Sequence, residues 1–105
     1  MHATSSASST QLKSQQNKDG GWGWLVGDPS DALGTGMALY GLCRTGVASD
    51  DPALGRAQPF LVSIQLKDGS WAVKGTKENK KDRVEETASY WGAAWATLGL
   101  LQTLP

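Results

Sequence analysis

The sequence predicts an all-α fold of about four helices arranged as two α-hairpin repeats, and two correspondences within the chain carry that prediction. The heptapeptide QNKDGGW at Gln16–Trp22 returns 49 positions later as QLKDGSW at Gln65–Trp71, with Gln, Lys, Asp, Gly and Trp unchanged. Further along, Gly34, Ala38, Gly41, Leu42 and Thr45 are matched 58 positions later by Gly92, Ala96, Gly99, Leu100 and Thr103. Self-similarity at a spacing of tens of residues marks stacked supersecondary units. The larger second offset places an insertion in the second unit, within residues 72–83, where Lys74, Lys77, Lys80, Lys81 and Arg83 make a basic loop.

The serine-rich residues 1–10 read as a disordered tail. Residues 11–105 then form one domain of two repeats, 11–46 and 52–105, with the basic loop at 72–83. The first helix of the first unit should end near Gln16. It is the weaker copy, because Gln11 and Gln15 stand where the second unit has Phe60 and Ile64. Asp28 before Pro29 offers an N-cap and a first-turn proline, and Gly46 a C-terminal stop, so a helix is expected over 29–45. Asp51 and Pro52 open another helix that runs to Gln65, with a kink or late start expected at Pro59. Asp82 and Glu85 have capping-box spacing for a last long helix that ends before Pro105.

Small residues at i, i+4, i+7 and i+11 predict close helix packing through Gly34, Ala38, Gly41 and Thr45, and again through Gly92, Ala96, Gly99 and Thr103. Glycine within a helix costs ~1 kcal/mol against alanine, a penalty that close approach can offset. The last helix is apolar around much of its circumference, which places it inside a layered bundle. The helix before the second DG turn should be an outer one, with Arg56 toward solvent and Phe60, Leu61 and Ile64 inward. Two repeats without neighbours should either self-associate or keep an exposed apolar groove.

Composition narrows the function classes. The 105 residues are 39% hydrophobic and 19% charged, with a net charge of zero. Nothing in that balance selects nucleic acid as a partner. The longest nearly apolar stretch, Gly92–Leu101, is too short for a membrane span, which needs ~20 residues. The N-terminus lacks the basic start and apolar core of a secretory signal, and the compartment stays open. With one cysteine, Cys43, and one histidine, His2, neither a disulfide nor a metal site is expected, and no cofactor is implied. Cys43 reads as a small hydrophobe on a helix.

The segment RAQPFLVSIQLKDGSW, Arg56–Trp71, resembles the QW repeat of the terpenoid cyclase and protein prenyltransferase superfamily, and Gln16–Trp22 resembles the end of a second copy. SDALGTGMALYGL and ETASYWGAAWATLGLLQTLP are similar to inner helices of squalene and hopene cyclases, especially the C-terminal segments of bacterial cyclase-like proteins. The likeness covers residues 11–105. It implies an α/α toroid, a ring of inner and outer helices around an apolar cavity for isoprenoid chains. Four helices could supply one wall of such a ring, so the implied partner is the rest of a longer chain or a further copy.

Asp-Gly suits a tight reversal, and tryptophan adds apolar area with a hydrogen-bonding edge. The resemblance implies structural roles for Gln16, Asp19, Gly20 and Trp22 and for Gln65, Asp68, Gly69 and Trp71. A carbohydrate platform is the competing reading of these tryptophans. GWGWLVG at Gly21–Gly27 lacks the glycine spacing and lysine of a phosphate loop, so Trp22 and Trp24 read as packing residues.

No residue is assigned to catalysis. The DxDD acid motif of hopene cyclases has no match, since Asp50-Asp51 precedes Pro52 and fits a solvated cap, and the zinc set of the prenyltransferases is missing. Aromatic faces can stabilise cations through the ring quadrupole, so Trp91 and Trp95, with Met37 and Tyr40 near the matching positions of the first unit, are the candidate ligand residues. Core packing is the competing reading. The basic loop could contact a diphosphate, an anionic lipid or a partner, but a mobile solvated insertion is the simpler expectation. The functional expectation is a cyclase-like scaffold segment and cavity wall, not catalytic in isolation. The alternative is a non-enzymatic α-hairpin module for protein contacts.

Overall fold

The computed structural model describes residues 10–48, 50–75, 84 and 86–104. Among these residues, four helices account for the regular structure. We number them α1, described over residues 10–14, α2 (Ala32–Arg44), α3 (Pro52–Ile64) and α4 (Glu86–Gln102). Among the described residues the only β pairing is two isolated antiparallel bridges, Trp22 with Asp31 and Lys74 with Val84, so the fold is all-α.

Helix α2 starts three residues later than the sequence suggests, and its cap is Asp31 rather than Asp28. The cause lies in the preceding connection. The Asp31 N–H donates to the Trp22 carbonyl (3.1 Å) and the Asp28 N–H to the Leu25 carbonyl (3.0 Å), which holds the chain in a turn followed by extended backbone. Asp31, at φ −146°, then accepts the Gly34 N–H at 2.7 Å. The helix ends as expected, with Gly46 at φ +93°. Its neighbour α3 opens on the Asp51 cap with Pro52 in the first turn. Pro59 lies inside α3 without delaying its start. The proline leaves the Gly55 carbonyl without its helical donor. Both residues are exposed, so water can replace that donor. Asp82, Glu85 and most of the expected basic loop, residues 76–83, lie outside the described residues.

The core is formed by Leu33, Leu39 and Leu42 of α2, Leu54, Ala57 and Leu61 of α3, Ala96 of α4, and Trp22, Trp71 and Val73 of the connections. As expected of an outer helix, α3 exposes Arg56 and buries Leu61, with Phe60 and Ile64 half-buried.

The closest joint is between α2 and α4. All four residues of the α4 stripe, Gly92, Ala96, Gly99 and Thr103, are buried. On α2 the glycine that meets α4 is Gly36, outside the expected stripe: its Cα side faces the Trp95 backbone, and Gly99 lies against the Gly36 carbonyl and Leu39. The predicted α2 stripe turns elsewhere. Gly34 abuts the backbone of Trp22 and Gly23, and Gly41 faces Leu12.

Full burial of α4 is not what the structure shows. Gly92, Ala96 and Gly99 are its buried residues within the helix, whereas Tyr90, Trp91, Leu98 and Leu101 remain exposed. One small-residue face sits against α2 and Val73, with Trp95 and Leu100 half-buried against the core, while Tyr90, Trp91, Leu98 and Leu101 point away.

Candidate functional site

The two DG turns repeat atom for atom. Gln16 Nε2 donates to the Gly20 carbonyl and Gln65 Nε2 to the Gly69 carbonyl, both at 2.8 Å. Asp19 Oδ1 accepts the Gly21 N–H and Asp68 Oδ1 the Ser70 N–H, both at 3.0 Å. Gly20 and Gly69 sit at φ +96° and +89°, a region that L side chains enter only with strain. The Ser70 hydroxyl and N–H hold the Asp68 carboxyl below its ordinary range.

Each tryptophan reaches back ten residues. Trp22 Nε1 donates to the Leu12 carbonyl at 2.8 Å, and Trp71 Nε1 to the Leu61 carbonyl at 2.9 Å. Carbonyls in the last turn of a helix lack an intrahelical partner. Each indole therefore closes the end of the preceding helix while its rings fill the core.

The copies differ in what lies beyond them. Gln16 also donates to the Ala53 carbonyl (2.9 Å), and Arg56 donates to Gln16 Oε1 (3.1 Å) and the Asn17 carbonyl (3.2 Å). These bonds tie the first turn to α3. A second tie is the Lys13–Asp51 ion pair at 2.6 Å; the Lys13 ammonium and then the Ala53 N–H hold the Asp51 carboxyl low. Gln65, by contrast, is exposed.

Two hydroxyls perform a task that sequence reasoning missed. Thr35 Oγ1 accepts the Trp22 N–H (2.9 Å) and lies 3.3 Å from the Trp22 carbonyl. Ser89 Oγ accepts the Val73 N–H (2.8 Å) and lies 3.3 Å from the Val73 carbonyl. Each pins a connection to the helix that follows it, α2 or α4. They occupy non-matching repeat positions, which hides them from an alignment of the units.

An apolar cleft of about 340 Å³ opens beside α2, lined by Leu12, Trp22, Trp24, Leu25, Val26 and Met37. Trp24 is 43% exposed and Val26 72% exposed, so Trp24 is a lining residue rather than the packing residue expected. Of the sequence-predicted ligand residues, Met37 lines this cleft. Tyr40 and Trp95 are brought together across α2 and α4, edge to face at 5.4 Å between ring centroids, with the Arg44 guanidinium 5.9 Å from the Tyr40 ring centre. Trp91 stands apart, 53% exposed and edge to face with Tyr90. The four do not form one site.

A second cleft, about 320 Å³, lies between the connections and is lined by Trp24, Asp28, Ser30, Asp31, Lys74 and Val84. Burial pushes the Asp31 carboxyl above its ordinary value of 3.8, against the lowering pull of the Gly34 N–H. Its bond to Gly34 makes it a helix cap first. Cys43 is half-buried on α2, and burial pushes its thiol up. Among the described residues no group of three His, Cys, Asp or Glu side chains could hold a metal, and no helix is long and apolar enough to cross a membrane.

Comparison with known proteins places this arrangement. The family model of the squalene-hopene cyclase N-terminal domain matches residues 2–65. The chain belongs to the squalene-hopene cyclase family. Its sequence is 36% identical over 94 residues, 86% of the chain, to a squalene–hopene cyclase of Bradyrhizobium diazoefficiens. It is 45% identical over 60 residues, 57% of the chain, to a drimenyl diphosphate synthase of Streptantibioticus cattleyicolor. It is 44% identical over 50 residues, 48% of the chain, to the human lanosterol synthase. The chain spans 14%, 11% and 7% of these three relatives respectively. The matching model is that of the N-terminal domain, not of the C-terminal segment expected from the sequence.

Proposed function

We propose that this chain is a scaffold segment of a cyclase-type α/α toroid, and that the cleft beside α2 is part of an apolar wall for an isoprenoid chain. The observation that carries the reading is the cleft itself. Its volume lies toward the lower end of ligand pockets, ~300–1,000 Å³, and its lining is aromatic and aliphatic. That suits a partial contact with a polyene better than enclosure of a whole one. The relatives named for squalene-hopene cyclisation and for drimenyl diphosphate synthesis favour the same ligand class.

Initiation of polyene cyclisation needs a strong acid aimed into the cavity, and the segment's role is to bind and shape rather than to protonate. Asp31 is committed to Gly34, and it lines the neighbouring cleft instead. Trp24 and Met37 would hold the chain by apolar contact. The alternative role as a protein-contact module draws support from the uncovered face of α4.

Titration with farnesol, followed by tryptophan fluorescence, tests the proposal. Saturable binding should weaken roughly tenfold in Trp24→Ala, the loss of about 1.4 kcal/mol of contact. Binding that is absent, or indifferent to Trp24 and Met37, removes the isoprenoid wall and leaves the contact module.

A further inference from the structure

The loop before α2 is pinned at its neck and tied only to itself at its tip. At one end Trp22 is fixed three times: its N–H donates to Thr35 Oγ1 (2.9 Å), its carbonyl accepts the Asp31 N–H (3.1 Å) and its indole donates to the Leu12 carbonyl (2.8 Å). At the other end Asn17 Nδ2 donates to the Asp28 carbonyl (3.0 Å) and to Ser30 Oγ (2.8 Å). Gly23 closes the neck, since a Cβ there would overlap Asp28 and the Pro29 carbonyl. Between these anchors the hydrogen bonds are local: the Leu25 carbonyl accepts the Asp28 N–H, and the Leu25 N–H reaches Asp28 Oδ2 at 3.3 Å.

The tip has room to move. Trp24, Leu25 and Val26 are exposed, and Gly27, at φ +87°, would meet nothing within 4 Å even with a Cβ added. Trp24 lines both clefts, so its indole has space on two sides. The second repeat shows the fixed alternative. Val73 stands 49 positions after Trp24 and is buried, its N–H and carbonyl both facing the Ser89 hydroxyl. In the first repeat the hydroxyl contact, from Thr35, falls on Trp22 two residues earlier and leaves Trp24 outside the core. Backbone with few bonds to the rest of the fold opens locally at low cost.

We infer that residues 24–27 are a lid on the cleft beside α2, which folds Trp24, Leu25 and Val26 onto an isoprenoid chain lying over Met37 and Ala38. The inference rests on the isoprenoid reading of that cleft and adds a moving part to it. Three consecutive apolar side chains in water are stabilised by covering an apolar ligand, and the pinned neck confines the movement to the tip. The lid and the floor it covers both lie within residues 12–38.

NMR relaxation of the backbone amides, in the free chain and at saturation with farnesol, tests the lid. In the free chain Val26 and Gly27 should have order parameters below ~0.6, against ~0.85 at Trp22 and Asp31, and farnesol should raise the tip to the rigid value. The neck amides should keep theirs. A tip as rigid as its neck in the free chain overturns the inference, because a fixed wall and a tip clamped by another segment both give that result. Saturable farnesol binding that leaves the order of the tip unchanged also overturns it; the isoprenoid wall then stands without a lid. Absence of saturable binding removes the wall and the lid together.

Discussion

Gly36 of α2 lies so close to the Trp95 backbone of α4 that a single added methyl would overlap it. The contact is between main chains, which cannot rotate out of the way. Gly36→Ala should therefore force the helices apart and lower stability by ~1–3 kcal/mol, in spite of the higher helix propensity of alanine. Gly55 is the control: exposed on α3, with nothing within 4 Å of an added Cβ. Gly55→Ala should raise stability by ~0.5–1 kcal/mol. Urea denaturation of both variants checks the opposite signs.

The two indole bonds should differ in worth. Trp71 donates to Leu61 within the core, whereas the Leu12 carbonyl that Trp22 reaches also accepts the Gln15 N–H at 3.1 Å. Phenylalanine keeps much of the ring area and removes the donor. Trp71→Phe strands a buried acceptor and should cost ~1–3 kcal/mol beyond any packing loss. Trp22→Phe should cost less. Thermal melts in which the Trp22 variant is the weaker of the two would contradict this ordering.

Equivalent glutamines should respond unequally. Gln16 bridges its own turn to the Ala53 carbonyl and receives Arg56, while the bond from exposed Gln65 closes its own turn. Gln16→Ala should cost ~1–2 kcal/mol and Gln65→Ala ~0.5 kcal/mol or less in equilibrium unfolding. Equal losses would mean that the tie to α3 contributes nothing to stability.

Asp31 sets a pH dependence of definite sign. Its folded carboxyl titrates above the ordinary 3.8 because burial penalises the charge. The folded state thus keeps this proton to higher pH than the unfolded chain does, and the associated stability is full below the ordinary value and lost as pH rises through the folded one. The asparagine introduced by Asp31→Asn can still cap α2 and carries no charge. The stability of wild type relative to Asp31→Asn should fall as pH rises from below the ordinary 3.8 through the raised folded value and level off above it. A flat or rising difference would show that the cap bond outweighs desolvation.

What the sequence by itself determined is local. Asp-Gly with a glutamine before it and a tryptophan after it specifies the reversal at residues 16–22 and again at 65–71, because a positive φ and hydrogen bonds across a few residues are met within the segment. Asp51-Pro52 started α3 for the same reason, and periodicity placed Phe60, Leu61 and Ile64 on its inward side. The all-α class and the repeat were legible from these features, as was the small-residue face of α4.

Tertiary structure decided which surfaces meet. Asp31 displaced Asp28 as the cap because Trp22 draws the chain at Asp31 into a bridge, a pairing across nine positions that no capping pattern encodes. Gly36, rather than the matched glycines, became the α2 side of the helix joint because the connection at Trp22–Gly23 had already taken Gly34. Thr35 and Ser89 acquired their roles by facing backbone from another segment, and Trp24 became a cleft lining because its loop turns outward. Backbone preferences act within a few residues and can be read along the chain. Competition among distant surfaces for the same small-residue faces is resolved only when the helices pack.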